Sequence, residues 1–282
     1  MSTAITFDSA GTLLYTIRVA HNICTDTLLA DVETTLLTYD DPDRVLCVLY
    51  MHIDQLMAAS PSTSFATFMT QHNASFDISC SRRSLTKEEV KPIICGDTEA
   101  TVGHAVACVR AIQNSGDGGN IMALNSGCIV NMNLGRIEFM VATGGVPFIG
   151  AKEVIATLMQ HDVSVYIASG DKEDKLLRVA TYLGIPMNHV CGVATPVMKA
   201  SFVRSLRQKY DKVVMVGDGI NDIYAFREAD LAILTEQQGS CTVANLLEAV
   251  DVRIQNICDV PKHVLPDIPS SLLPTSRMKE PQ

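Results

Sequence analysis

The sequence contains no tryptophan, and only 5% of its residues are aromatic. No apolar run approaches the roughly 20 residues that a membrane-spanning helix needs. The most apolar stretch, residues 44–53, is far shorter. The first residues also lack the basic and then apolar pattern of a signal peptide. We therefore expect a soluble, cytoplasmic protein without membrane spans.

An excess of basic residues is also missing, because the formal net charge is −9. Nucleic-acid partners need many lysines and arginines to neutralise phosphates, so we expect no nucleic-acid binding. A small phosphorylated substrate stays compatible with this charge, since a few local donors can hold it. The nine cysteines include no CxxC pair and are scattered through apolar segments, which favours reduced thiols in the core.

The second half of the chain alternates between buried strands and amphipathic helices. Helical patterns occupy residues 151–162, 172–185 and 196–210, and strand patterns occupy residues 163–168, 212–217 and 231–236. This alternation predicts a doubly wound, Rossmann-like parallel sheet with right-handed crossovers. Residues 1–15 supply its first strand, and residues 1–15 and 146–258 together form the predicted α/β core. The proline-rich residues 259–282 are predicted to be a flexible tail.

Residues 16–145 are predicted to form an inserted α+β domain. Apolar residues at helical spacing predict helices within residues 23–41 and 44–60, and further helices are predicted within residues 84–95 and 98–116. Alternation with turn signals predicts antiparallel strands over residues 119–142. The glycine-rich residues 114–120 are interpreted as a loop, because they lack the Lys-Ser/Thr pair of a phosphate-binding loop.

Polar side chains follow the predicted core strands where each of them ends. Asp8 follows the first strand, Ser169 and Gly170 follow the strand over 163–168, and Asp218 follows the strand over 212–217. Ligands of open parallel sheets bind at this edge. Two further polar residues are expected there, Lys199 near the start of a helix and Asp222 one turn after Asp218.

This set of side chains is suited to phosphoryl transfer through a covalent intermediate. Asp8 is the candidate nucleophile, because a carboxylate can attack phosphorus and form an acyl phosphate. Mg²⁺ would reduce the repulsion between the two anions, with Asp8, Asp218, Asp222 and the backbone oxygen of Ala10 as candidate ligands. Ser169, Gly170, Lys199 and Asn221 are the candidate phosphate-binding residues.

Four spaced motifs resemble those of the haloacid dehalogenase superfamily, and most of all the phosphorylation domain of P-type ATPases. They are Asp-Ser-Ala-Gly-Thr at 8–12, Ser-Gly-Asp at 169–171, Pro-Val-Met-Lys at 196–199 and Gly-Asp-Gly-Ile-Asn-Asp at 217–222. The resemblance implies an Mg²⁺-dependent phosphohydrolase with an aspartyl-phosphate intermediate. It also implies that the inserted residues 16–145 are a cap domain, at the position where the pumps of the superfamily have a nucleotide-binding domain.

Ala10 departs from the pattern of most phosphatases of this superfamily, which have a second aspartate there as general acid and base. Three readings follow. The substrate has a good leaving group, such as an acyl phosphate, a nucleotide or an aryl phosphate. Alternatively, the protein is a phosphonatase similar to phosphonoacetaldehyde hydrolase, although Lys87 and Lys91, the only lysines between residues 13 and 150, come late for its Schiff base. Thirdly, it is a weakly active regulatory or binding protein.

Overall fold

The computed structural model describes residues 2–115, 121–239, 244–265 and 269. The chain divides into two compact units, a core unit of residues 1–16 and 147–282 and an inserted unit of residues 17–146. That the inserted unit serves as a cap stays a prediction. Among the residues described, no helix is both long and apolar enough to cross a bilayer.

Strands and helices are numbered here in chain order. The strands are β1 (Thr3–Phe7), β2 (Leu14–Asn22), β3 (Thr27–Ala30), β4 (Arg44–Tyr50), β5 (Ser75–Ser81), β6 (Ala123–Asn131), β7 (Arg136–Pro147), β8 (Val163–Ala168), β9 (Val190–Cys191), β10 (Lys212–Gly217), β11 (Leu231–Thr235) and β12 (Val252–Ile254). The α-helices are α1 (Thr34–Tyr39), α2 (Ile53–Ala58), α3 (Phe65–Gln71), α4 (Lys87–Gly96), α5 (Val102–Ser115), α6 (Ala151–Gln160), α7 (Glu173–Leu183), α8 (Pro196–Leu206), α9 (Ile223–Phe226), α10 (Ala244–Leu247) and α11 (Val260–Val264). Short 3₁₀ helices occupy Met187–His189, Ile220–Asp222 and Ile257–Asp259.

The core unit contains a six-stranded parallel sheet in the order β12-β11-β10-β1-β8-β9. The strand order runs outwards from β1 in both directions, as in a doubly wound fold. Phe7, the last residue of β1, is in register with Ile167 of β8 and Val216 of β10. The carboxyl ends of these three strands therefore lie side by side at one edge of the sheet.

Both faces of this sheet are buried, which explains why its strands are almost continuously apolar. On one face, Ala4 and Met215 pack in a cluster with Val203 of α8 and Phe226 of α9. Ile5, which points to the opposite face because side chains alternate along a strand, is also fully buried.

The inserted unit contains a second six-stranded sheet in the order β3-β2-β7-β6-β4-β5. The pairs β2–β3, β4–β5, β4–β6 and β6–β7 are antiparallel. Helices α2 to α5 contribute Leu56, Phe68, Ile94 and Val109 to its main apolar cluster. An α/β core with an α+β insertion was the predicted fold class, and it is confirmed.

The helix predicted within residues 44–60 is wrong for its first half, because residues 44–50 are strand β4. This strand lies between β5 and β6. Cys47 packs in the apolar cluster on one face of the sheet and Leu46 in a cluster on the other. Burial on both faces produces a continuous apolar run, whose periodicity does not distinguish a strand from a buried helix. The helix predicted within residues 23–41 is likewise limited to α1, with β3 before it.

The predicted flexible tail does not begin at residue 259. The 3₁₀ helix Ile257–Asp259 and helix α11 continue the ordered fold, and Val260 and Pro261 are buried. Pro261 occupies the first turn of α11, where a missing N–H has no cost, so a proline here starts a helix. Residues 266–268 and 270–282 of the predicted tail, and residues 116–120 of the predicted glycine-rich loop, lie outside the described residues.

Candidate active site

Three loops at the carboxyl edge of the core sheet bring the predicted polar residues together. Asp8 directly follows β1, and its backbone N–H donates to Val216 O of β10 at 2.9 Å. Ser169 follows β8, and Asp218 follows β10. Because β1 lies between β8 and β10, the loop with Asp8 is flanked by the other two loops.

Lys199 reaches this edge from helix α8. The helix begins after Thr195, whose Oγ1 accepts the backbone N–H of Met198, and Pro196 occupies its first position. Lys199 lies one turn into the helix and is 4% exposed. Its Nζ donates to Asp8 Oδ1 at 2.6 Å and to Asp222 Oδ1 at 2.7 Å. One buried ammonium group therefore joins two carboxylates from different loops.

Asp8, Asp218 and Asp222 form an acidic cluster, in which each residue offers one carboxylate oxygen within 4.8 Å of the others. Asp222 ends the 3₁₀ helix Ile220–Asp222 and is fully buried. Its Oδ2 accepts the backbone N–H of Asp218 at 3.3 Å. The turn Gly217–Asp222 thus holds two acids next to the acid of β1.

The cluster has more negative than positive charge. Burial, and then the nearby Asp222, raises the pKa of Asp8 to about 8, against the opposing effect of Lys199. Burial alone would lower the pKa of Lys199, but the two carboxylates raise it, so its ammonium group stays charged. Three carboxylates facing one ammonium group are a donor set that suits a further hard cation, since Mg²⁺ binds carboxylate oxygens.

The sequence model of the family of haloacid dehalogenase-like hydrolases matches residues 3–230, which include every residue of this cluster. The chain belongs to this hydrolase family. The predicted resemblance to the haloacid dehalogenase superfamily is therefore confirmed.

The relatives of this hydrolase include a phosphatase and a copper-importing ATPase. The chain is 26% identical over 275 residues to the soluble P-type ATPase-like phosphatase of Methanocaldococcus jannaschii, with 92% of each chain covered. It is 36% identical over 106 residues to the probable copper-importing P-type ATPase A of Enterococcus hirae, which covers 38% of this chain but only 14% of the pump. Among solved structures, it is similar to a phospho-aspartyl intermediate analogue of phosphoserine phosphatase, with 15% identity, 93% and 98% of the two chains covered and a TM-score of 0.41.

The other predicted site residues of this hydrolase lie in the same three loops. Ser169 is buried, and its Oγ accepts the backbone N–H of Asp171 at 3.3 Å. Gly170, Asn221 and Ala10 are exposed, in the segments that follow β8, β10 and β1. Asp171 lies just before α7 but does not cap it, because the N-cap residue is Lys172.

Gly217 allows the acidic turn to pack closely, a role that the sequence alone did not indicate. A Cβ atom on Gly217 would lie 2.4 Å from Asp222 Oδ2, so any side chain here would displace that carboxylate. The signal was present in the motif itself, where a glycine directly precedes the acidic turn. Its role became apparent only from the close approach of the backbone to Asp222.

Proposed function

We propose that this hydrolase is an Mg²⁺-dependent phosphohydrolase that acts through an aspartyl-phosphate intermediate on Asp8. The observation that carries the proposal is the position of Asp8 at the sheet edge, hydrogen-bonded to the buried Lys199 and beside two further carboxylates. The phosphatase name of the Methanocaldococcus jannaschii relative supports the same reaction class.

Asp8, Asp218 and Asp222, with the backbone oxygen of Ala10, would hold the Mg²⁺. The fit rests on the donor set, which consists of oxygen ligands with excess negative charge within a small volume. When bound, the ion supplies positive charge that reduces repulsion between Asp8 and a phosphate and stabilises charge on the phosphoryl oxygens.

In the first step, a carboxylate oxygen of Asp8 attacks phosphorus. A bond from Asp8 to phosphorus forms while the bond to the leaving oxygen breaks, and the leaving group takes the electron pair. Lys199 has two tasks: it favours the ionised, nucleophilic form of Asp8 and it donates to phosphoryl oxygens. Ser169, with the backbone N–H groups of its loop and with Asn221, supplies uncharged donors.

In the second step, water attacks the acyl phosphate, which restores the Asp8 carboxylate and releases inorganic phosphate. Ala10 has no proton to give to a leaving group, so the first step depends on leaving groups that are stable as anions. The proposed substrate is therefore a small acyl phosphate, aryl phosphate or nucleotide.

The test is hydrolysis of acetyl phosphate, ATP and p-nitrophenyl phosphate with and without Mg²⁺. We expect turnover by the natural chain that requires Mg²⁺ and is abolished in Asp8→Asn. Asp162→Asn makes the same chemical change at an exposed residue of the core unit and serves as the control. If the folded protein turns over none of the three substrates, the alternative of a weakly active regulatory protein is favoured.

The phosphonatase alternative requires a lysine of the inserted unit that forms a Schiff base with the aldehyde of the substrate. Lys87 is ion-paired with Asp77, and no contact of Lys87 or Lys91 among the described residues favours that chemistry. The cytoplasmic location and the lack of a nucleic-acid partner stay predictions.

A further inference from the structure

The inserted unit contains a cavity of about 660 Å³, and none of the proposed active-site residues lines it. It lies between α3 and α4 and reaches the first residues of β5, Ser75 and Phe76. A smaller cavity of about 240 Å³ adjoins it along α3, and the two share Thr70 and Cys95. The larger volume falls within the range of roughly 300–1,000 Å³ that is typical of small-molecule sites.

The charged lining of the cavity comes from the first two turns of α4. Lys87 and Lys91, the only lysines of the inserted unit, both line it. Residues four positions apart lie on the same face of a helix, so the two side chains are neighbours. Glu88 also lines the cavity, and Asp77 of β5 balances the charge of Lys87, so the lining with this partner has no net charge. The chemistry of a ligand therefore depends on which of the lysines has its ammonium group available.

The two lysines differ in their partners. Lys87 forms an ion pair with Asp77 of β5. Lys91 is exposed, and no ion pair to it occurs within the described parts of the chain. Its ammonium group is therefore the one with donors available to a ligand.

The remaining walls have the mixed character of a site for an organic molecule. Met69, Phe76 and Ile94 supply apolar surface, and Thr70 and Asn73 supply uncharged hydrogen-bonding groups. Small-molecule sites combine apolar walls with a few polar groups that orient the ligand in this way. Inorganic phosphate alone would leave the apolar walls without a contact.

We propose that this cavity binds a small organic anion, with its phosphate or carboxylate at Lys91 and its apolar or aromatic body between α3 and α4. The proposal goes beyond the proposed reaction and does not depend on it. The same chemistry would fit the substrate of the Asp8 site or a separate effector, and the experiment distinguishes these two sources.

Cys95 permits a direct test of occupancy, because it is exposed and lines both cavities. The entire Asp8→Asn chain, which on the proposed mechanism cannot hydrolyse the probes, is alkylated with iodoacetamide. Modification is followed at Cys95 and at the exposed Cys24, which lies outside both cavities, by peptide mass spectrometry. We expect adenosine monophosphate or p-nitrophenyl phosphate to slow alkylation of Cys95 at least fivefold. Cys24 should react at the same rate, and inorganic phosphate should protect much less.

Lys91→Ala should raise the probe concentration that gives half-maximal protection of Cys95 about tenfold, since a hydrogen bond to a charged group is lost. Lys209→Ala removes an exposed lysine of the core unit and should leave protection unchanged. The proposal is overturned if none of the probes at millimolar concentration protects Cys95. It is equally overturned if the probe protects Cys95 equally well in Lys91→Ala and in Lys209→Ala.

The source of the ligand follows from steady-state kinetics of the chain with Asp8 intact. A raised KM for p-nitrophenyl phosphate in Lys91→Ala identifies the substrate, whereas an unaltered KM with weaker protection by adenosine monophosphate identifies an effector. Both results support the site. If no substrate is hydrolysed but Cys95 is still protected, the proposed function fails while this inference stands.

Discussion

The carboxylate of Asp218 lies directly against the backbone of Gly11. A Cβ atom on Gly11 would be 1.9 Å from Asp218 Oδ2, and Gly11 has a φ of +73°. Both the close contact and the left-handed backbone require glycine at this position. The turn after Asp8 can therefore place its backbone beside the acid of another strand.

Gly11→Ala is expected to displace Asp218 and abolish Mg²⁺-dependent hydrolysis. Gly184→Ala is a matched control, because Gly184 has a φ of +79° but no heavy atom within 4 Å of an added Cβ. The control should lose about 1–2 kcal/mol of stability from its left-handed backbone and keep its activity. Activity is measured at increasing Mg²⁺. Equal activity in the two folded variants would contradict the assigned role of the contact.

Lys199→Met is expected to lower the free energy of unfolding by about 3 kcal/mol, because it leaves Asp8 and Asp222 buried without their shared ammonium group. The measurement is urea unfolding at pH 7 in the presence of a chelator. Lys209→Met, at an exposed position, should change the stability by less than about 0.5 kcal/mol. If the two variants are equally stable, the buried ion pairs do not contribute as we infer.

The raised pKa of Asp8 predicts how the stability of the metal-free protein depends on pH. Burial and the nearby acids raise the pKa of Asp8 from its ordinary 3.8 to about 8 in the folded chain, so the folded state binds the extra proton between these values. Stability falls with rising pH wherever the folded state binds more protons. Asp8 should therefore make the free energy of unfolding fall as the pH rises from about 4 to about 8.

The check compares the natural chain with Asp8→Asn in urea at several pH values, with chelator present. Groups remote from the cluster contribute equally to both chains, so the difference reports Asp8 together with the charges that it contacts. We expect Asp8→Asn to become progressively more stable than the natural chain as the pH rises. A difference that does not change with pH would refute the assignment.

Ala10→Asp is expected to add the general acid that this chain lacks. The position is exposed and two residues after Asp8, so an aspartate can be accommodated. On the proposed mechanism, kcat/KM for an alkyl phosphate should rise by up to about 10²-fold, the lower end of what general acid–base catalysis contributes. Acetyl phosphate should change little, because its leaving group needs no proton. Ala10→Asn has similar size but no acidic proton, and an equal gain in this control would exclude the explanation.

The parallel core was predictable because its strands and helices alternate and each has a distinct periodicity. The ends of β1, β8 and β10 could therefore be located, and with them Asp8, Ser169 and Asp218. The inserted unit was harder to predict, since β4 is apolar on both faces and its pattern does not separate strand from helix. The start of the flexible tail was predicted wrongly for a different reason. Proline disfavours a helix interior but is accepted in a first turn, where Pro261 lies in α11.

The sequence by itself determined which chemical groups stand at the strand ends, because each motif is local and its spacing sets the turn that follows its strand. Only the tertiary structure decided how those groups act on one another. Lys199 is 191 positions from Asp8 and 23 from Asp222, yet it donates to both. The raised pKa of Asp8 arises from burial and from the charges of distant segments, and it is not a property of any short stretch of sequence.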